Sequence, residues 1–89
     1  MKIKKNFVLR TIAGSNVVVP TGSDSVNFNG MISLNETGAF LWKILENGAD
    51  EAKLADSLQT EYEGVDRKTC EEDVAEFIKT LRASNIIED

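Results

Sequence analysis

The chain has no histidine, one cysteine and one proline among its 89 residues. Without histidine, the commonest general base and the commonest metal ligand are both missing. Cys70 is alone, so no intrachain disulfide can form, and a zinc site would lack its usual Cys and His donors. A lone thiol also fits a reducing compartment. Long apolar runs are absent: Phe7-Val8-Leu9 follows a basic start but is cut by Arg10, too short for a signal-peptide core. Nothing approaches the roughly 20 apolar residues of a membrane-spanning helix. Gly14, Gly22 and Gly30 are too scattered for a phosphate-binding loop and read as turns. Bases are outnumbered, 10 against 15 acids, for a net charge of −5, which works against nucleic acid or an anionic membrane as partner. The expectation is a cytoplasmic protein with no cofactor and no metal. Asn35-Glu36-Thr37 matches a glycosylation sequon and reads as a coincidence.

What remains is ordinary globular composition, 42% hydrophobic and 28% charged, in a length that suits one domain over residues 1–89. The first third is β-rich. Residues 7–13 read as a strand, Gly14-Ser15 as a type II′ hairpin turn, and Asn16-Val17-Val18-Val19-Pro20 as the returning strand. Pro20 cannot donate to a ladder, so that strand ends there or lies at an edge. Thr21 to Ser25 is a turn cluster. The alternation Val26-Asn27-Phe28-Asn29-Gly30, continued by Met31-Ile32-Ser33-Leu34, reads as an interrupted third strand.

Helices follow. Asn35 is a good N-cap, with Glu36 in the first turn and Leu34 and Ala39 at the staple positions. Phe40, Leu41, Ile44 and Leu45 supply an apolar face with Trp42 beside it, and Gly48 ends the helix. Asp50 caps a second helix carrying Leu54, Ala55, Leu58 and Tyr62, broken by Gly64. Asp66 caps a third, with Thr69 and Glu72 as an alternative capping-box start. Its stripe of Cys70, Val74, Phe77, Ile78 and Leu81 is the strongest periodic signal in the chain. Asn85 stops that helix, and Ile86-Ile87 is an apolar tail able to pack back. The sum is a small α+β domain of winged-helix type, an N-terminal three-stranded antiparallel segment followed by three helices.

Catalytic material is thin. Cys70 falls on an apolar helix face, as a structural thiol does. Glu71-Glu72-Asp73 with Glu76 is the densest carboxylate cluster, best read as a solvated face, with a basic partner as the next reading. A winged-helix regulator would use the third helix on DNA, but Arg67, Lys68, Lys79 and Arg82 there are interleaved with Asp66, Glu71, Glu72, Asp73 and Glu76.

Leu34-Asn35-Glu36-Thr37-Gly38, then Trp42 and the closing Gly48, resemble the strand-to-helix signature of PqqD-like proteins. Leu54, Leu58 and Tyr62 fit that family's middle helix, and Glu72-Asp73-Val74 with Phe77 and Leu81 its last. The resemblance runs from about Val17 to Ile87. Asn85 replaces a usual glycine and Arg67 a common proline. The resemblance implies a non-catalytic peptide chaperone, a recognition element for ribosomally made, modified peptides. It would bind the leader of a precursor peptide and present it to a radical S-adenosylmethionine (radical SAM/SPASM) maturation enzyme, as in pyrroloquinoline quinone (PQQ) biosynthesis. The implied mode is strand addition along the edge of the third strand. The expected peptide-binding residues are Phe28, Asn29, Met31, Ile32 and Ser33 on the strand and Asp73, Phe77 and Thr80 on the last helix. A homodimer through the same exposed edge stays open, as does a winged-helix transcription regulator or generic interaction domain.

Overall fold

The computed structural model describes residues 1–21 and 32–89. The interrupted stretch 26–30 lies outside the described residues, and with it Phe28, Asn29 and Met31. Along the chain come strands β1 (Lys2–Ile3), β2 (Phe7–Ile12), β3 (Ser15–Pro20) and β4 (Ile32–Leu34). Helices α1 (Glu36–Leu45), α2 (Glu51–Glu61) and α3 (Arg67–Ala83) follow, and a short β5 (Ile87–Glu88) ends the chain. The fold is α+β: a three-stranded antiparallel sheet in the order β2-β3-β4, with three helices packed on it, as the sequence reading expected.

The register explains which sheet face is buried. Leu9, Val18 and Ile32 lie opposite one another, and all three pack against the core. Arg10, Val17 and Ser33 share the other face. Pro20 sits at the last position of the central strand, paired with Phe7, where its missing N–H does least harm.

The hairpin turn differs from expectation by one residue. Ile12 pairs with Ser15, so the two-residue loop is Ala13-Gly14 rather than Gly14-Ser15. Both loop residues have positive φ, 51° at Ala13 and 80° at Gly14. That is the type I′ requirement, whereas type II′ needs positive φ only at its first central residue. An alanine there carries a left-handed conformation that its Cβ disfavours by about 1–2 kcal/mol.

Each helix starts on the cap read from the sequence. Asn35 accepts from the Gly38 N–H at 2.8 Å, Asp50 from Lys53 at 2.7 Å, and Asp66 from Thr69 at 2.8 Å. The alternative start at Thr69 is not used. Gly48 has φ +90° but follows the α1 cap, Glu46, by two residues rather than one. Its neighbour Ala49 donates to the Met1 carbonyl at 2.9 Å.

The end of α3 is a Schellman closure. Asn85 takes φ +58°, its N–H donates to Arg82 O at 3.0 Å, and the Ile86 N–H donates to Leu81 O at 3.0 Å. Asparagine tolerates this left-handed position, so replacing the glycine usual in the resembled family is mild. The apolar tail does return: β5 pairs with β1, Ile3 opposite Ile87. The β1 strand was not anticipated, because two residues carry no periodic signal.

The core runs through all these elements. Leu41, Trp42, Leu45, Leu54, Cys70, Leu81 and Ile86 are fully buried. Trp42, placed by the sequence beside the apolar face of α1, belongs to the core. Phe40 and Tyr62 meet edge to face with centroids 6.0 Å apart, joining α1 to the end of α2.

Two outcomes are expected. Ala13→Asn restores an Asn-Gly type I′ loop and should raise unfolding free energy by about 1 kcal/mol in urea denaturation. The second concerns Asp66, whose carboxyl is held below its ordinary value of 3.8 by the hydrogen bonds from the Thr69 backbone and side chain. Its folded pKa is depressed, so this stabilisation is present above the unfolded pKa. It is lost as pH falls through the folded pKa. Asp66→Asn keeps a capping acceptor at every pH, so its melting temperature should fall less steeply than the parent's between about pH 5 and pH 3.

Candidate functional site

Among the described residues β4 is the last strand in its sheet and pairs only with β3. Alternate backbone N–H and C=O groups along it therefore point away from the sheet. No strand among the described residues covers that edge. Beside it a groove of about 250 Å³ opens between the β4–α1 joint and α3.

Local sequence builds each wall. On one side are Ser33 and Leu34 of β4, the cap Asn35, and Thr37 and Gly38 of the first helical turn. The chain turns sharply here because Asn35 is extended at ψ −178° and its side-chain oxygen takes the Gly38 N–H. Gly38 lets the helix begin this close to the strand. A Cβ there would come within 3.2 Å of the Leu34 Cβ and 3.3 Å of the Asn35 Oδ1. Leu41, fully buried, adds an apolar lining residue from one turn further along α1.

The opposite wall is one stripe of α3: Asp73, Glu76, Phe77 and Thr80, at relative positions 0, 3, 4 and 7. Phe77 is 7% exposed and also belongs to the core, while Asp73, Glu76 and Thr80 are exposed. The Thr80 hydroxyl donates to the Glu76 carbonyl at 3.0 Å, so it offers the groove a methyl and an acceptor.

The groove's charged lining residues are both acids, Asp73 and Glu76. The ion pairs among the described residues lie elsewhere: Arg67 with Asp56 and with Glu71, and Arg82 with Asp89. The groove carboxylates accept no side-chain hydrogen bond among the described residues. A second hollow of about 240 Å³ lies between α2 and α3 around Arg67, Glu71 and Val74, and holds none of the expected residues. No cluster of three or more His, Cys, Asp or Glu side chains suited to a metal occurs among the described residues. Among these residues, too, no helix is long and apolar enough to cross a membrane.

Of the eight expected site residues, four line this groove together: Ser33, Asp73, Phe77 and Thr80. Ile32 lies on the same strand, but its side chain packs against the core, so it offers the groove backbone only. Phe28, Asn29 and Met31 lie outside the described residues. Sequence reasoning missed Leu34, Asn35, Thr37, Gly38 and Leu41 as lining residues, having assigned most of them to the helix start alone. Glu76 was read as solvated. Its position between Asp73 and Thr80 on one helical face was the available signal.

The fold and groove define a class: a small three-stranded sheet with helices packed on it, and an open strand edge facing the last helix. The chain belongs to the family described as coenzyme PQQ synthesis protein D (PqqD), which it matches over residues 15–87. No curated protein matches it. Two solved structures share its fold. One is TbiB1 in complex with the TbiA(beta) leader peptide, at 27% identity and a TM-score of 0.76, covering 99% of this chain and 95% of that one. The other is a lasso peptide synthetase B1 complexed with the leader peptide, at 23% identity and 0.74, covering 99% and 96%.

Asn35→Ala removes the cap that holds the joint between the two groove walls. It should cost about 1 kcal/mol in chemical denaturation, with Asn35→Asp close to the parent.

Proposed function

We propose that this chain is a leader-peptide recognition element, binding the leader of a ribosomally made precursor in the groove between β4 and α3. The observation that carries this reading is the free edge of β4 lying beside the Asp73–Thr80 face of α3. An extended peptide satisfies the edge N–H and C=O groups on one side and packs a side chain on Phe77 on the other. Each edge hydrogen bond contributes only about 0.5–1.5 kcal/mol net, and ordering a flexible leader offsets part of that. Apolar anchoring on Phe77 and Leu34 is therefore required. A few bonds with two or three anchors reach about −8 kcal/mol, a dissociation constant near ~1 μM. The two solved neighbours are both complexed with leader peptides, which supports a leader peptide as the ligand.

The role is presentation without chemistry, by a single unit spanning residues 1–89 in the cytoplasm. The expected partner is a radical S-adenosylmethionine maturation enzyme, and the product is PQQ or another modified peptide. Two of the four α3 cations, Arg67 and Arg82, are engaged by Asp56, Glu71 and Asp89, which weighs against α3 as a DNA-reading helix.

The test is titration of isotope-labelled chain with the leader of a precursor encoded near its gene, followed by amide shifts. Shifts should concentrate at Ile32, Ser33 and Leu34 and along 73–80 of α3. Shifts confined to the β2–β3 hairpin would reject the groove.

A further inference from the structure

Resting on that reading, the groove also specifies what kind of leader it accepts. We propose that the bound segment presents a lysine or arginine to Asp73 and Glu76, two residues away from an apolar side chain that covers Phe77.

The spacing comes from two repeats that match. An α-helix rises about 1.5 Å per residue, so the midpoint of the Asp73–Glu76 pair and that of Phe77–Thr80 lie about 6 Å apart along α3. Side chains on one face of an extended strand recur about every 6.7 Å. A peptide strand whose axis follows α3 therefore offers one side chain at the acidic pair and the next same-face side chain at the phenylalanine. This holds for either peptide direction, with the cation before or after the apolar residue.

The charge comes from what the groove lacks. None of its lining residues is basic, and two of the four cations on α3, Arg67 and Arg82, are already engaged by Asp56, Glu71 and Asp89. The Thr80 hydroxyl proton is spent on the Glu76 carbonyl and the Asn35 side-chain oxygen on the Gly38 N–H. Ser33, Thr37 and the Asn35 amide keep donors in the groove, but its charged lining residues are two carboxylates, whose acceptor oxygens an ammonium or guanidinium fills best. The chain's net charge of −5 favours a cationic peptide further.

The experiment selects binders to the full-length chain from a displayed random 12-residue peptide library, in parallel with Asp73→Asn/Glu76→Gln and with Glu72→Gln. The Glu72→Gln variant removes an exposed α3 carboxylate that does not line the groove. The parent and Glu72→Gln should enrich Lys or Arg two positions from an apolar residue, and the double variant should enrich the apolar position alone. A synthetic peptide from the selection should bind the parent about tenfold more tightly than its Lys→Gln form, the yield of two exposed pairs. That ratio should approach one in the double variant and in high salt. Enrichment of apolar residues without a cation, or equal loss in Glu72→Gln, overturns this inference and leaves strand addition standing. No enrichment with any bait overturns both.

Discussion

The structure depends on burying one face of α3. Cys70, Val74, Ile78 and Leu81 are fully or almost fully buried, and Phe77 joins them from the edge of the stripe. An 89-residue chain buries a smaller share of its surface than a large domain does, so it has little redundancy. Every other element meets the core that this helix organises. Phe77 is the residue where stability and site coincide, because it closes the core from inside and lines the groove from outside. The groove wall therefore cannot shift without disturbing packing, and a peptide meets a surface already in place.

Both ends of α3 are fixed by local chemistry. At its start, Asp66 caps the Thr69 N–H, and Arg67 reaches Asp56 on α2. At its end, the Schellman closure turns the chain so that Ile86 is fully buried and β5 can pair with β1. The Lys4 N–H to Ile86 O bond, 2.9 Å, continues that tie. The exposed Arg82–Asp89 pair adds little by itself. Burial of Ile3, Ile86 and Ile87 is what draws the two ends of the chain together.

Legibility followed the range of each interaction. The caps Asn35, Asp50 and Asp66 and the α3 stripe were readable because each works within a few residues. The hairpin was readable, but its turn was placed one residue late. Gly14 advertises positive φ, whereas Ala13 adopts it with no propensity to announce it. β1 escaped because its partner lies more than 80 residues away, and a dipeptide has no pattern. In the groove, Asp73, Phe77 and Thr80 were legible as one helical face, and Ser33 as strand edge. Gly38 was not, because its role depends on how closely the strand approaches the helix. Ile32 turned inward because the register with Val18 sets its face, and that register cannot be read from β4 alone.

An open strand edge invites pairing with any extended chain, including a second copy. Two features of this edge oppose self-pairing. The described strand is three residues long, so it offers few bonds. Edge-to-edge association through β4 would also bring the Asp73–Glu76 pair of one molecule towards that of another. Like charges facing each other in this way are destabilising. A cationic leader reverses the sign of that term and leaves the backbone bonding unchanged. The proposed site would thus use one acidic pair both against self-pairing and for ligand choice, and neutralising it would loosen both.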